Sequence, residues 1–416
     1  MKSASTLVMR ADHEAERVVS HGVHEGFRAR LNRLSMAVLG ALSVAFVLAV
    51  YEGAGLGETT PRVGPRLGGD FPAFYGAGRV VNTLGFDSLY VPAAQQAAQA
   101  GLGVDGYLAF AYAPHVALPY SLLALLDFRI AYTVHTLVMV AALALSLRLI
   151  EGPLPTLRNY RLPAFAATLT FYPLMTAAFG GQNTAISVLL LAWAWSSWHR
   201  GDDALAGLAI GLLAFRPQYA LPLLGLSLLA RHWRTVLVAT VTIASTWLLN
   251  ALLLGAGWFS AWIDEVLPFV ERDADVNAHN SISLQGFLHA VAGDGSFVRV
   301  VGLVGAAVTA LLMSYVWFDR RFQLDQRVAV AAAGILLMSP HTMFYDAGLL
   351  IIGFLAVAAA WPHRAVWMLG AGLWLGALAH LGAKTWGSTP LAVFPLLVLV
   401  AGAAARSAIS SKTSHT

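Results

Sequence analysis

Long apolar runs alternate with short polar breaks along almost the whole chain. The apolar segments fall near residues 34–51, 128–150, 162–179, 184–198, 203–215, 217–230, 235–256, 297–318, 326–340, 344–361, 365–382 and 389–408. Runs of this length with few charges predict membrane-spanning helices, about twelve of them and eleven to thirteen at the limits of the count. Two places resist a simple count. Segments 203–215 and 217–230 are short and split at Arg216-Pro217, giving either a hairpin of short helices or one kinked pair. Tyr107–Leu126 is apolar enough to cross but carries Pro114 and Pro119. It reads as a helix dipping partway from one face, the alternative being a thirteenth crossing.

The polar breaks are not alike. Basic residues recur in every second one: Arg28/Arg30/Arg33, Arg148/Arg158/Arg161, His199-Arg200, Arg231/Arg234, Arg320/Arg321/Arg327, His363-Arg364 and Arg406/Lys412. The positive-inside rule assigns these to the cytoplasm, with both chain ends there. The expected organisation is a cytoplasmic tail over 1–30, a single transmembrane domain over 31–409 and a second short tail over 410–416. Extracytoplasmic loops are expected at about 52–127 and 257–298. Pro61, Gly64, Pro65, Gly68 and Gly69 break the first half of the first loop. Ala73–Leu84 and Val91–Ala100 predict two short surface helices in the second half, with Pro92 suited to a first turn. Met1–Arg30 is polar, unlike a signal peptide. Within it, Glu14–Leu31 reads either as an amphipathic surface helix or as part of a disordered tail.

Composition fits this picture. Hydrophobic residues make up 58% of the chain and charged residues 12%, about half the charge of a soluble domain. An all-α polytopic membrane protein follows. The net charge of +4 is small and spread over short runs, which suits anchoring to an anionic leaflet and not nucleic-acid binding. There is no cysteine, so thiol chemistry is excluded. No HExxH or Cys/His metal spacing, Walker loop or serine nucleophile elbow occurs, so neither a metal nor another cofactor is expected.

The candidate chemistry lies in the breaks without basic clusters. These hold Gly68-Gly69-Asp70-Phe71-Pro72-Ala73-Phe74-Tyr75, Gly180-Gly181-Gln182-Asn183, Arg216 with Gln218, the loop Gly257–Val298, and Ser339-Pro340-His341-Thr342 with Tyr345 and Asp346. Ionisable groups at membrane depth face a cavity or a partner. Asp70 reads as a catalytic base at the membrane surface or as a helix N-cap. Arg216 reads as an anion-binding group or as a structural cation paired with an acid of the long loop. Gln182-Asn183 reads as a polar contact or as a cap. Asp264, Glu265, Glu271, Asp273 and Asp275 are rival acids or a solvated face.

These motifs, in this order, resemble glycosyltransferase family 87 of the GT-C superfamily over roughly Leu34 to Ala360. The residues that carry the resemblance are Asp70-Phe71 with Tyr75 and Gly78-Arg79, Gly85, Leu89-Tyr90, Phe110 to Pro114 with Pro119, and Gly181-Gln182-Asn183. The set continues with Ala206-Gly207-Leu208 to Gly211, Arg216-Pro217, Trp262, Pro268, Asn280 to Ser283 with Gly286, and Ser339-Pro340-His341. The family often has Lys where this chain has Arg216, and the charge is kept. The resemblance implies a GT-C fold in a bacterial inner membrane with the active site on the extracytoplasmic face. It implies transfer of a sugar, most familiarly mannose, from a polyprenyl-phosphate-linked donor to a glycolipid or glycan acceptor. It implies Asp70 as the base with His341 beside it, Arg216 on the donor phosphate, and Gln182, Asn183, Asn280, Tyr75 and Gln218 as substrate contacts, with no metal ligand. Membrane lipids are the remaining partner. The rival classes are a transporter or lipid flippase and a related transferase for another sugar such as arabinose.

Overall fold

The structure, a computed structural model, describes residues 25–48, 69–102, 107–339, 341–388 and 393–404. The polar stretch before Glu25, the Pro/Gly-rich first half of the first loop and the tail with Arg406 and Lys412 lie outside the described residues. The described chain is helical, and its one β feature is an isolated antiparallel bridge between Ser281 and Met343.

Helix α1 spans Glu25–Leu48. It begins well before the apolar run at Leu34, so Arg28, Arg30 and Arg33 ride on its first turns. After the loop come α2 (Phe71–Leu84) and α3 (Pro92–Gln99). Both carry a proline in the first turn, where the missing N–H has no partner to lose. The expected surface location fails for α2, whose Phe71, Phe74, Tyr75, Ala77 and Val80 are buried. The reason is aromatic packing. Phe71 and Phe74 pack on Tyr120, Tyr132 and His135 from later elements. Tyr107–Leu126 is not a crossing. Residues 107–113 are irregular, Pro114–Val116 form a 3-10 turn, and α4 (Ala117–Leu123) is seven residues long.

The central bundle follows. It consists of α5 (Phe128–Ile150), α6 (Arg161–Thr170), α7 (Tyr172–Phe179), α8 (Thr184–His199), α9 (Asp203–Leu212), α10 (Pro217–Leu229) and α11 (Trp233–Leu254). Gly257–Val298, read as a loop, holds α12 (Trp258–Val276) and α13 (Leu284–Ala292). The chain closes with α14 (Ser296–Phe318), α15 (Leu324–Met338), α16 (Leu350–Ala360), α17 (Arg364–Ala377), α18 (Ala383–Trp386) and α19 (Val393–Ala404).

Among the described residues, five helices are long and apolar enough to cross a bilayer: α1, α5, α11, α14 and Arg364–Gly382. A sixth is counted if Pro155–Thr170, a 3-10 turn running into α6, and Tyr172–Phe179 (α7), bent by 72°, form one broken span. The break falls at Phe171, which is extended, ahead of Pro173 in the first turn of α7. Other apolar segments are helices too short for a full crossing. Helix α8, sixteen residues long, extends about 24 Å against a hydrocarbon core of about 30 Å.

Short helices are tolerated because they sit inside the bundle. Every residue of α15 from Val328 to Leu337 is buried, as a helix apolar on all sides requires. Helix α9 approaches α11 through Gly207 and Gly211. A Cβ at Gly207 would lie 2.5 Å from the Thr235 carbonyl oxygen, and one at Gly211 would strike Thr242. Small residues four apart permit this close approach between apolar helices.

The bundle has two unlike ends. Helix α8 starts after Gln182-Asn183 and ends at His199-Arg200, and α10 starts after Arg216 and ends before Arg231. Helix α15 starts after Arg320-Arg321 and ends at Ser339. The 3-10 turn Phe344–Leu349 carries Asp346 into α16, which ends before His363-Arg364. Polar motifs without basic clusters therefore collect at one end and basic clusters at the other.

Candidate active site

At the polar end lies a cavity of about 640 Å³. Asp70, Gln182, Arg216, Gln218, Asp273, Asn280, His341 and Asp346 all contribute to its walls.

Asp70 occupies the N-cap position of α2, but its side chain makes no capping bond. Its carboxylate instead accepts a 2.6 Å hydrogen bond from Gln182 Nε2, and its backbone N–H donates to the Gly180 carbonyl at 2.9 Å. Two features of Gly181 make this approach possible. Its φ is +77°, and a Cβ there would fall 2.5 Å from Phe71 Cβ and 2.7 Å from Phe71 N. Only glycine fits both the left-handed backbone and the contact. Behind Asp70, the aromatic cluster of Phe71, Phe74, Phe110, Tyr120 and Tyr132 fixes the start of α2.

Arg216 terminates the 3-10 turn after α9 and precedes Pro217 at the start of α10. It is 4% exposed. Its Nη1 donates to Asp346 Oδ1 in a buried ion pair. Its Nη2 donates to Asn183 Oδ1 at 2.8 Å and to the Tyr112 hydroxyl at 3.2 Å, and lies 3.5 Å from Gln182 Oε1. Its buried Nε has no hydrogen-bond partner. Asp346 is held in turn by Thr184 Oγ1 at 3.3 Å and by the Met343 N–H at 3.1 Å. The partner of Arg216 is thus Asp346 and not an acid of the long loop, the partner suggested under the structural reading of Arg216. Gln182 links the two charged groups, with its amide NH2 on Asp70 and its oxygen toward Arg216.

His341 is carried by the segment between α15 and the Phe344 turn. Its Nε2 lies 3.6 Å from Asp273 Oδ2, and Phe269 meets its ring edge-on at 5.8 Å. Of the rival acids, Asp273 reaches the cavity; Asp264, Glu265, Glu271 and Asp275 do not line it. Burial raises the Glu265 carboxyl, and Arg272 partly offsets this. Asp275 pairs with His289 at 3.4 Å.

The remaining expected contacts divide. Gln218 and Asn280 line the cavity. Asn183 is buried behind it against Arg216, and although it is the N-cap of α8 its side chain makes no cap bond. Tyr75 does not line the cavity: its hydroxyl donates to the Leu126 carbonyl at 2.8 Å and its ring packs on Phe128. The structure gives it a packing position outside the cavity wall. Two residues named from the sequence without a role, Asp346 and Tyr112, also line the cavity. A carboxylate inside the apolar run 344–361 was the available signal for the first. Among the described residues, no group of three or more His, Cys, Asp or Glu is placed to hold a metal ion.

Apolar helices of bilayer length, with a cavity carrying Asp70, Arg216 and His341 at one end of the bundle, define a membrane-embedded protein with a ligand-sized site. The sequence matches glycosyltransferase family 87 over residues 110–340, more than half of the chain, and the chain belongs to that family: it is a membrane glycosyltransferase. The matched region includes Gln182, Asn183, Arg216, Gln218 and Asn280, while Asp70 and Tyr75 precede it and His341 follows it directly. No curated protein matches the sequence.

Proposed function

We propose that the protein transfers a sugar, mannose as the first candidate, from a polyprenyl-phosphate-linked donor to a hydroxyl of a lipid or glycan acceptor on the extracytoplasmic face of a bacterial inner membrane. Asp70 is the base in this reading, and the anomeric centre inverts. The observation that carries it is the shared cavity of Asp70 and Arg216 with Gln182 between them. A glycosyl phosphate needs an acid–base group near the acceptor oxygen and a fixed positive charge near the leaving phosphate, both in one space.

The step balances simply. The acceptor hydroxyl gives its proton to the Asp70 carboxylate as its oxygen bonds to the anomeric carbon. The bond from that carbon to the phosphate oxygen breaks on the opposite side, and its electron pair leaves with the polyprenyl phosphate. A positioned base contributes about 10²–10⁴-fold. Negative charge grows on the departing phosphate, where a guanidinium that does not reorganise is most useful. Asp346, Asn183 and Tyr112 hold Arg216 in place on the cavity wall, with its charge toward the space a phosphate would occupy. Apolar side chains of α12 on the cavity wall, among them Val266, Leu267 and Val270, offer a surface for the lipid chain. Gln218 and Asn280 are available to sugar hydroxyls.

The sidedness rests on the two unlike ends of the bundle. The cavity lies opposite the basic clusters, which the positive-inside rule assigns to the cytoplasm. Nucleotide sugars are absent outside the cytoplasm, so a lipid-carried sugar is the activated donor there. Purified protein incubated with radiolabelled polyprenyl-phosphate-mannose and total membrane lipid should yield a labelled glycolipid or glycan of inverted anomeric configuration. Vesicle flux without any labelled product would replace this reading with transport.

A further inference from the structure

Helix α12 is an unusual wall. Of its nineteen residues only Trp258 is buried. Trp262, Val266, Phe269, Val270 and Asp273 line the cavity, so the inner face of the helix meets open space as well as packed protein. Near its end, one turn apart, Phe269 and Asp273 both reach His341.

The backbone around His341 is fixed independently of α12. Ser281 and Met343 form the antiparallel bridge, and Ile282 N–H donates to the Thr342 carbonyl at 3.0 Å. Ser339 Oγ donates to the His341 carbonyl at 3.2 Å. The imidazole is another matter, because the contacts that orient it come from α12. Phe269 presents an edge to its ring. Asp273 sets Oδ2 at ion-pair distance from Nε2, while its Oδ1 accepts a 2.6 Å hydrogen bond from Asn277 Nδ2. Asn277 holds the carboxylate so that one oxygen remains for the histidine. A carboxylate at this distance acts on the ring through its charge and position, and turns Nε2 toward α12. The other charged groups on the cavity have their own partners: Asp70 has Gln182, and Asp346 has Arg216.

We propose that Asp273 is a positioning residue that sets the orientation of the His341 imidazole. This rests on the reading of His341 as part of the catalytic site, and it adds a second role to the cavity's acids: Asp70 takes the proton and Asp273 acts through the imidazole. Asn277 and Phe269 complete the support.

Two measurements test this, one of them independent of the sugar. Residue-resolved modification by diethylpyrocarbonate reads the availability of the imidazole nitrogens. Asp273→Asn should raise the rate at His341 and leave that of His115, which is bonded to Asn250, unchanged; equal rates at His341 in both proteins would overturn the proposal. The second measurement is transfer from radiolabelled polyprenyl-phosphate-mannose to total lipid. Asp273→Asn should lower the saturated rate by about tenfold or more, the usual scale for loss of an orienting partner, with half-saturating donor within about twofold. Asp273→Glu should recover part of the rate. In a His341→Ala background, Asp273→Asn should cost nothing further, because residues that act through one another are not additive. An undiminished effect in that background, or a loss confined to donor affinity, would make Asp273 structural and end the proposal. Asp70→Asn run in parallel separates the failures: normal transfer there refutes the base assignment, while the modification rates still decide between a positioned and an unpositioned His341.

Discussion

Arg216 with Asp346 at the cavity end and Arg161 with Glu151 at the far end of α5 are the same pair of functional groups in opposite surroundings. The side chains of Arg216 and Asp346 are each 5% exposed; neighbouring amides and hydroxyls meet Nη2 of the arginine and both oxygens of the aspartate, while the arginine Nε has no partner. Glu151 is also enclosed, at 9%, but the arginines around it are exposed: Arg161 at 49%, Arg148 at 60% and Arg158 at 61%. Both of its oxygens accept from Arg161 at 2.6 Å. The bidentate pair at Glu151 is therefore open to water on its arginine side, and the single-contact pair at Arg216 is closed on both. Burial, more than bond length, decides which pair the molecule depends on, because breaking a buried pair strands an uncompensated charge.

The largest effect should come from stranding Arg216. Asp346→Ala should lower stability in detergent by about 3–5 kcal/mol, read as a drop in the thermal unfolding midpoint. Replacing both partners with apolar residues should restore much of that stability but not activity. If Asp346→Ala unfolds like the parent, the pair is not the buried anchor described here. Next comes Gly181→Ala, which forces a Cβ onto the Phe71 backbone at a positive φ. A loss of about 1–3 kcal/mol is expected, with a larger loss of transfer because the Gly180–Asp70 contact opens. Unchanged activity with a lowered midpoint would show that Asp70 does not need that contact. The smallest effect belongs to the basic end. Glu151→Gln should cost about 1 kcal/mol or less, since its partners are solvated and screened. The hydrogen bonds from Arg161, and then the surrounding arginine charges, hold the Glu151 carboxyl below its ordinary value of 4.5. A depressed folded value means this contribution is complete above that ordinary value and fades as acidification passes through the folded one. Comparing midpoints of parent and Glu151→Gln at neutral and acidic pH should show the gap closing. A gap that widens on acidification has the wrong sign for this account.

The same contrast explains what the sequence made legible. An uninterrupted apolar run such as 128–150 coincides with α5, and 297–318 nearly coincides with α14. Polar residues at membrane depth signal a shared space because the bilayer leaves them few alternatives; Asp70, Gln182, Arg216, Asn280 and His341 line one cavity. Pairing was not legible. Asp346 lies 130 residues from Arg216, and no local pattern connects them. Helix α12 was missed because Asp264, Glu265, Glu271, Arg272, Asp273 and Asp275 make a half-exposed helix read as a polar loop. The surface reading of α2 failed for the reverse reason. Its alanines and glycines read as weakly apolar, yet a Cβ at Gly78 would collide with the Tyr120 backbone, so small size here marks burial. Tyr75 stood in the right motif on the wrong face of that helix.

Asp70→Asn measures the central claim most directly. Asparagine keeps the size of the side chain and removes its capacity to take a proton. The purified variant should bind a polyprenyl-phosphate-sugar donor with the parent's affinity and transfer at least about a hundredfold more slowly. Transfer at the parent's rate would show that the proton goes elsewhere and that the shared cavity of Asp70 and Arg216 is not where the chemistry happens.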